Sequence, residues 1–225
     1  MTPGVLPSRQ GLYDPKNEHD ACGVGFIADI KGQKSHKIVR HGLEILKNLT
    51  HRGAVGADPL AGDGAGLLMQ IPDGFLRAET GFELPPVGEY GVGMVFLPQN
   101  ESARKQCEKE IVYYIAAEGQ EFLGWRDVPV SNESLGETVK ACEPMVRQIF
   151  IGRGSDCHDQ DSFERKLFVI RKQIENEVRE SVRNECNSFY VLSMSSRVLL
   201  YKGMLLANQV GVYYSDLIDE RVVSA

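Results

Sequence analysis

The sequence predicts an α+β fold of layered sheets. Apolar residues alternate with small ones over 22–30 and gather into short runs over 67–71, 88–97, 125–130, 189–194 and 198–205, as strands require. Between these stretches, apolar residues recur every three or four positions over 35–49, 100–118 and 162–184, which marks helices. The strands fall in groups with helices between them, the arrangement of an α+β sheet protein.

Taken in order, residues 1–21 carry Pro3, Pro7 and Pro15 and no periodic apolar pattern, so they read as an extended lead-in. By composition they suit either a disordered arm, which most chains have, or a removable propeptide. The strand over 22–30 contains Gly23 and Gly25, which weaken a strand unless another backbone or a ligand approaches closely. Lys31-Gly32 then turns the chain. Ser35 is the N-cap candidate of a helix whose apolar face is Ile38, Val39, Gly42, Leu43, Leu46 and Leu49. His51-Arg52-Gly53 closes that helix with C-terminal cations and a glycine cap. Residues 53–66 are too rich in glycine for helix or strand, and Pro72 stops the strand over 67–71. Ile111, Val112, Ile115 and Ala116 share one face of the helix over 100–118. Phe163, Leu167, Ile170, Ile174 and Val178 do the same over 162–184, and Ser195-Ser196-Arg197 joins the last two strands.

The 225 residues are enough for one large domain or two small ones, with a core that needs no disulfide or metal. The net charge of −6 argues against a broad nucleic-acid footprint, which needs clustered Lys and Arg. The first ten residues lack the apolar run of a signal peptide, and no apolar stretch approaches the roughly 20 residues that span a bilayer. Five cysteines, Cys22, Cys107, Cys142, Cys157 and Cys186, stand at wide spacing with no C-x-x-C pair, so no zinc or iron–sulfur ligand set is suggested. A reducing, cytoplasm-like compartment is expected.

Gly62-Asp63-Gly64-Ala65-Gly66 superficially resembles a phosphate-cradling loop, but no Gly-Lys-Ser/Thr follows and the next element is a strand. A tight turn packed beside the first strand is the expected role. His36, His41, His51 and His158 include no i,i+4 pair and form no metal-ligand spacing, and His51 suits a helix-end cation. Cys107, Cys142, Cys157 and Cys186 have nothing in their flanks to activate a thiol.

Cys22 differs if the bond before it is cut. A thiol needs a neighbouring base to ionise near neutrality. Cleavage between Ala21 and Cys22 would place a free α-amine within one residue of the sulfur, with an ordinary pKa of about 7.7–8.0. Residue 22 would then supply nucleophile and base together. An ordinary buried cysteine in a strand is the competing reading.

Three segments then carry a family resemblance: Tyr13-Asp14-Pro15 with Glu18-His19-Asp20-Ala21-Cys22-Gly23-Val24-Gly25-Phe26; Leu49-Thr50-His51-Arg52-Gly53-Ala54-Val55-Gly56-Ala57-Asp58; and Gly62-Asp63-Gly64-Ala65-Gly66-Leu67. Together, in register over about sixty residues, they resemble the class II glutamine amidotransferase domain of the glutamate synthase large-chain family. From about residue 75 onward the likeness is looser.

The resemblance implies an N-terminal-nucleophile hydrolase fold, a four-layer αββα sandwich, incomplete in this chain. It implies that residues 1–21 are a propeptide and that residues 22–225 are the N-terminal part of the amidotransferase domain. Cys22 would attack the side-chain amide of L-glutamine, form a glutamyl thioester and release ammonia. In the full-length enzyme the ammonia would pass to downstream synthase domains and react with 2-oxoglutarate, with FMN and an iron–sulfur cluster delivering electrons. A small reductase subunit or ferredoxin would be the electron-donating partner, and the location cytoplasm or plastid stroma. No cofactor or metal site is expected in this segment, and no nucleic-acid or membrane partner. The family's glutamine-binding arginine segment and Asn-Gly oxyanion segment are not found here and are expected beyond Ala225. A site without oxyanion donors loses on the order of 10²–10³ in rate. Two alternatives stay open: a non-catalytic assembly module that keeps the fold, and another N-terminal-nucleophile amidase.

Overall fold

In the computed structural model, β2 (Tyr90–Leu97) sends alternate side chains to opposite faces, and each face meets its own core. The model describes residues 9–11, 22–53, 58–181 and 189–225. The Ala21–Cys22 junction, Cys186 and, apart from residues 9–11, the expected propeptide lie outside them. Among the described residues, β3 (Glu121–Asp127), β4 (Met145–Gly152), β2 and β5 (Tyr190–Ser195) form a four-stranded antiparallel sheet in the order β3-β4-β2-β5. β1 (Ala65–Gln70) pairs antiparallel with β6 (Val198–Gly203), setting Leu67 opposite Tyr201 and Met69 opposite Leu199.

One core lies between the two sheets. Tyr90, Val92, Met94 and Phe150 of the larger sheet meet Met69, Leu199 and Tyr201 of the smaller one. Helix α1 (His36–Asn48) reaches the same cluster through Val39, Leu43 and Leu46, and α2 (Asp73–Glu79) through Phe75 and Leu76. The other core lies beneath α3 (Glu101–Ala117) and α5 (Gln160–Ser181). There Val95, Leu97 and Ile149 pack against Cys107, Ile111 and Ile115 of α3. Phe163, Leu167, Ile170, Ile174 and Val178 of α5 complete it, the positions expected from helical spacing. Asn100 caps α3, its side-chain oxygen accepting from the Ala103 amide at 2.9 Å. Short helices α4 (Glu137–Lys140) and α6 (Val210–Tyr213) and a 3-10 turn at Ser215–Ile218 finish the inventory. No described helix is long and apolar enough to cross a membrane.

Several expectations are corrected. No strand forms over 22–30: the segment has no regular secondary structure, and Val24, Phe26 and Ile30 are exposed. Alternation makes a strand only where a ladder forms with a neighbouring edge, and among the described residues 22–30 joins none. Helix α1 ends at Asn48 and a 3-10 turn, Thr50–Arg52, follows; Gly53 is extended at φ −88°, not a left-handed cap. Strand β4, at the centre of the larger sheet, has no counterpart in the sequence reading, nor do α2 and α4. The strand expected over 125–130 begins earlier, at Glu121, and ends at Asp127, with Val130 making only an isolated bridge.

Candidate active site

Helix α1, β1 and the segment after Cys22 enclose a cleft of about 860 Å³. Gly23–Ile27 form one wall, Ile38, Ile45, Leu46 and Leu49 another, and Asp63–Met69 a third. Asp63 and Lys202 are the charged side chains that line it. Lys202 is engaged, its ammonium 4.8 Å over the Tyr190 ring. Cys22 directly precedes the first wall in sequence and is exposed, with a free thiol.

The two glycines after Cys22 answer to side chains of α1. A Cβ at Gly23 would stand 3.1 Å from Leu49 Cδ2 and 3.2 Å from Arg52 Cγ; one at Gly25 would stand 2.5 Å from Ile45 Cγ2. Close approach is their use, but what approaches is helical side chains and not the backbone or ligand expected. The glycine-rich loop works similarly, against the chain around β6, while sharing the cleft with residues 23–27. A Cβ at Gly62 would overlap the Leu205 carbonyl, and one at Gly66 would meet Lys202 Cβ at 2.5 Å. Gly64 has φ +127°, a conformation that favours glycine.

Asp58 is a residue the sequence reading passed over except as part of the resemblance. Its carboxylate accepts from the Thr138 hydroxyl at 2.5 Å and the Leu60 amide at 2.9 Å, which hold its pKa below the usual carboxylate range. The contact pins the end of the loop before β1 to α4. Gly136 has no side chain there to block the carboxylate.

The other candidates are not drawn together. His36 Nδ1 donates to the Val222 carbonyl at 2.9 Å, and His51 Nδ1 to the Asn48 carbonyl at 3.0 Å. Cys107 and Cys157 are buried in the core under α3 and α5, while Cys142 is exposed after α4. Among the described residues, no group of three or more His, Cys, Asp or Glu side chains could hold a metal ion.

A family model described as class II glutamine amidotransferases matches residues 22–225, beginning at Cys22 itself. The chain belongs to the class II glutamine amidotransferase family. It is 52% identical over its whole length to the large chain of glutamate synthase [NADPH] from Bacillus subtilis, covering 15% of that protein. It is 40% identical, over 94% of its length, to the corresponding large chain from Azospirillum brasilense, covering 14% of it. Against a chloroplastic ferredoxin-dependent glutamate synthase of Arabidopsis thaliana it is 38% identical over 95% of its length, covering 13% of that protein. This amidotransferase chain thus spans about one-seventh of the length of the relatives it matches.

Proposed function

We propose that this amidotransferase chain carries the glutaminase half-reaction of a glutamate synthase, with Cys22 as its N-terminal nucleophile. The observation that carries the proposal is the family match, which starts at the same cysteine whose α-amine would be freed by removal of residues 1–21. The thiol is exposed, and the wall of the cleft begins at the next residue, Gly23, which supports it. The stacked sheets covered by α3 and α5 suit the N-terminal-nucleophile hydrolase fold, an αββα sandwich.

In this scheme the Cys22 α-amine takes the thiol proton, and Sγ attacks the side-chain amide carbon of L-glutamine. The tetrahedral intermediate collapses as the ammonium group returns the proton to the leaving nitrogen, giving ammonia and a glutamyl thioester. Water activated by the same amine then cleaves the thioester, releasing glutamate and restoring the thiol.

Ammonia would pass to synthase domains elsewhere in a larger enzyme and combine there with 2-oxoglutarate. The electron donor would be a reductase subunit or ferredoxin; the relatives' own names include NADPH- and ferredoxin-dependent enzymes. The described residues offer no ligand cluster for an iron–sulfur centre. FMN and such a cluster would belong to other parts of that enzyme.

Cys22→Ala in the intact enzyme is expected to remove glutamine-dependent glutamate formation, while activity with added ammonia persists. A glutamine-mimicking electrophile should label Cys22 stoichiometrically. Labelling at another cysteine, or undiminished glutamine use by the Cys22→Ala enzyme, would overturn the proposal.

A further inference from the structure

We infer that Ile45 of α1 is a positioning residue for Cys22, acting through Gly25; the inference rests on Cys22 being the nucleophile. Among the described residues, no backbone hydrogen bond holds residues 22–28 in place. What the described residues do supply is side-chain packing against α1 and the turn after it.

The packing is localised. Ile45, Leu49 and Arg52 follow one another at four- and three-residue spacing, forming a stripe along α1 and its 3-10 extension. Gly25 rests on the first of these side chains and Gly23 on the other two. The contacts differ in stiffness. At Gly23 the fit is looser, 3.1 Å to Leu49 Cδ2 and 3.2 Å to Arg52 Cβ and Cγ, so a small adjustment relieves it. Ile45 is β-branched on a helix, where one χ1 rotamer dominates, so its Cγ2 has little freedom to move away. A methyl added at Gly25 would stand 2.5 Å from that Cγ2, closer than real side-chain contacts come.

Helix α1 is itself seated by the same device. A Cβ at Gly42 would stand 2.6 Å from Leu67 Cδ1 of β1, and one at Gly211 would stand 3.2 Å from Leu43 Cδ1. A chain of close contacts therefore runs from β1 through α1 and Ile45 to Gly25, three residues from the nucleophile. Lateral displacement of Gly25 passes along the three intervening peptide bonds to Cys22 Sγ.

The test uses the intact enzyme with Gly25→Ala, Ile45→Ala and the double variant. It reads kcat and KM for glutamine, the rate of Cys22 alkylation by a glutamine-mimicking electrophile, and the melting temperature. Gly25→Ala is expected to lower kcat and the alkylation rate about tenfold or more, since displacement of a reacting atom by about 1 Å costs up to about 10²-fold. Adding Ile45→Ala makes room for the new methyl and should restore most of that loss.

Equal impairment of the single and double variants would overturn the inference, as would a loss in KM alone, because Ile45 also lines the cleft. If Gly25→Ala does not fold, Ile45→Ala by itself decides. Lower kcat and slower alkylation at unchanged KM and melting temperature support the role, and wild-type values overturn it. Cys22→Ala serves as the control on the underlying assignment. A Cys22→Ala enzyme that still uses glutamine removes the nucleophile, whereas an inactive one combined with no rescue by Ile45→Ala removes only the positioning role.

Discussion

Arg126 and Asp216 are both almost fully buried, at 7% and 2% side-chain exposure, and pair through two parallel hydrogen bonds of 2.8 Å. The remaining polar atoms around them are satisfied: Arg126 also donates to Gln148 Oε1 at 3.0 Å, and the Tyr201 hydroxyl donates to Asp216 at 2.9 Å. Burial and the Asp216 carboxylate push the Tyr201 phenol well above its ordinary pKa, so it stays a neutral donor. The network ties β3, β4 and β6 to the 3-10 turn at Ser215–Ile218. Asp216→Ala leaves a guanidinium buried without its carboxylate and is expected to cost about 3–5 kcal/mol in chemical denaturation. Replacing both partners with apolar residues of similar volume should cost much less. Equal losses for the single and paired replacements would contradict this account.

At the scale of elements, helices α1, α3 and α5 were legible because each buries one stripe, and a buried stripe leaves a three-and-four period in the chain. Strand β4 was not. Arg147 and Gln148 break its apolar run, and the sequence gives no sign that Gln148 is satisfied in the core by Arg126 and Tyr201. Arg147 is compensated just as remotely, by Glu108 of α3 and Asp127 of β3. Pro72 was visible as the end of a strand but also precedes α2, a helix too short to show a period. The candidate site divides in the same way. Cys22 could be picked out through its neighbours, whereas the fit of Gly23 and Gly25 to α1 depends on tertiary contacts that spacing does not encode. Gly62 supplies the element-scale prediction. Gly62→Ala sets a methyl against the Leu205 carbonyl, a backbone group with little room to yield, and should cost about 1–3 kcal/mol. Gly42→Ala meets only the tip of the Leu67 side chain and should cost less. Melting curves of the two variants check that order.

For the whole molecule, two cores on opposite faces of one sheet give α1 and the glycine-rich loop a firm base at the cleft. The alternation after Cys22 was real in the sequence, but it is not spent on a ladder: Val24 and Phe26 are 90% and 93% exposed. Cys22, whose own α-amine would supply its base, directly precedes a wall of the cleft and begins the matched family region. The central claim is that residue 22 is the first residue of the working enzyme. N-terminal sequencing with intact-mass measurement of the mature protein tests it most directly. The account predicts a chain beginning at Cys22 with a free α-amine, and a mature, glutamine-active chain that begins before Cys22 would contradict it.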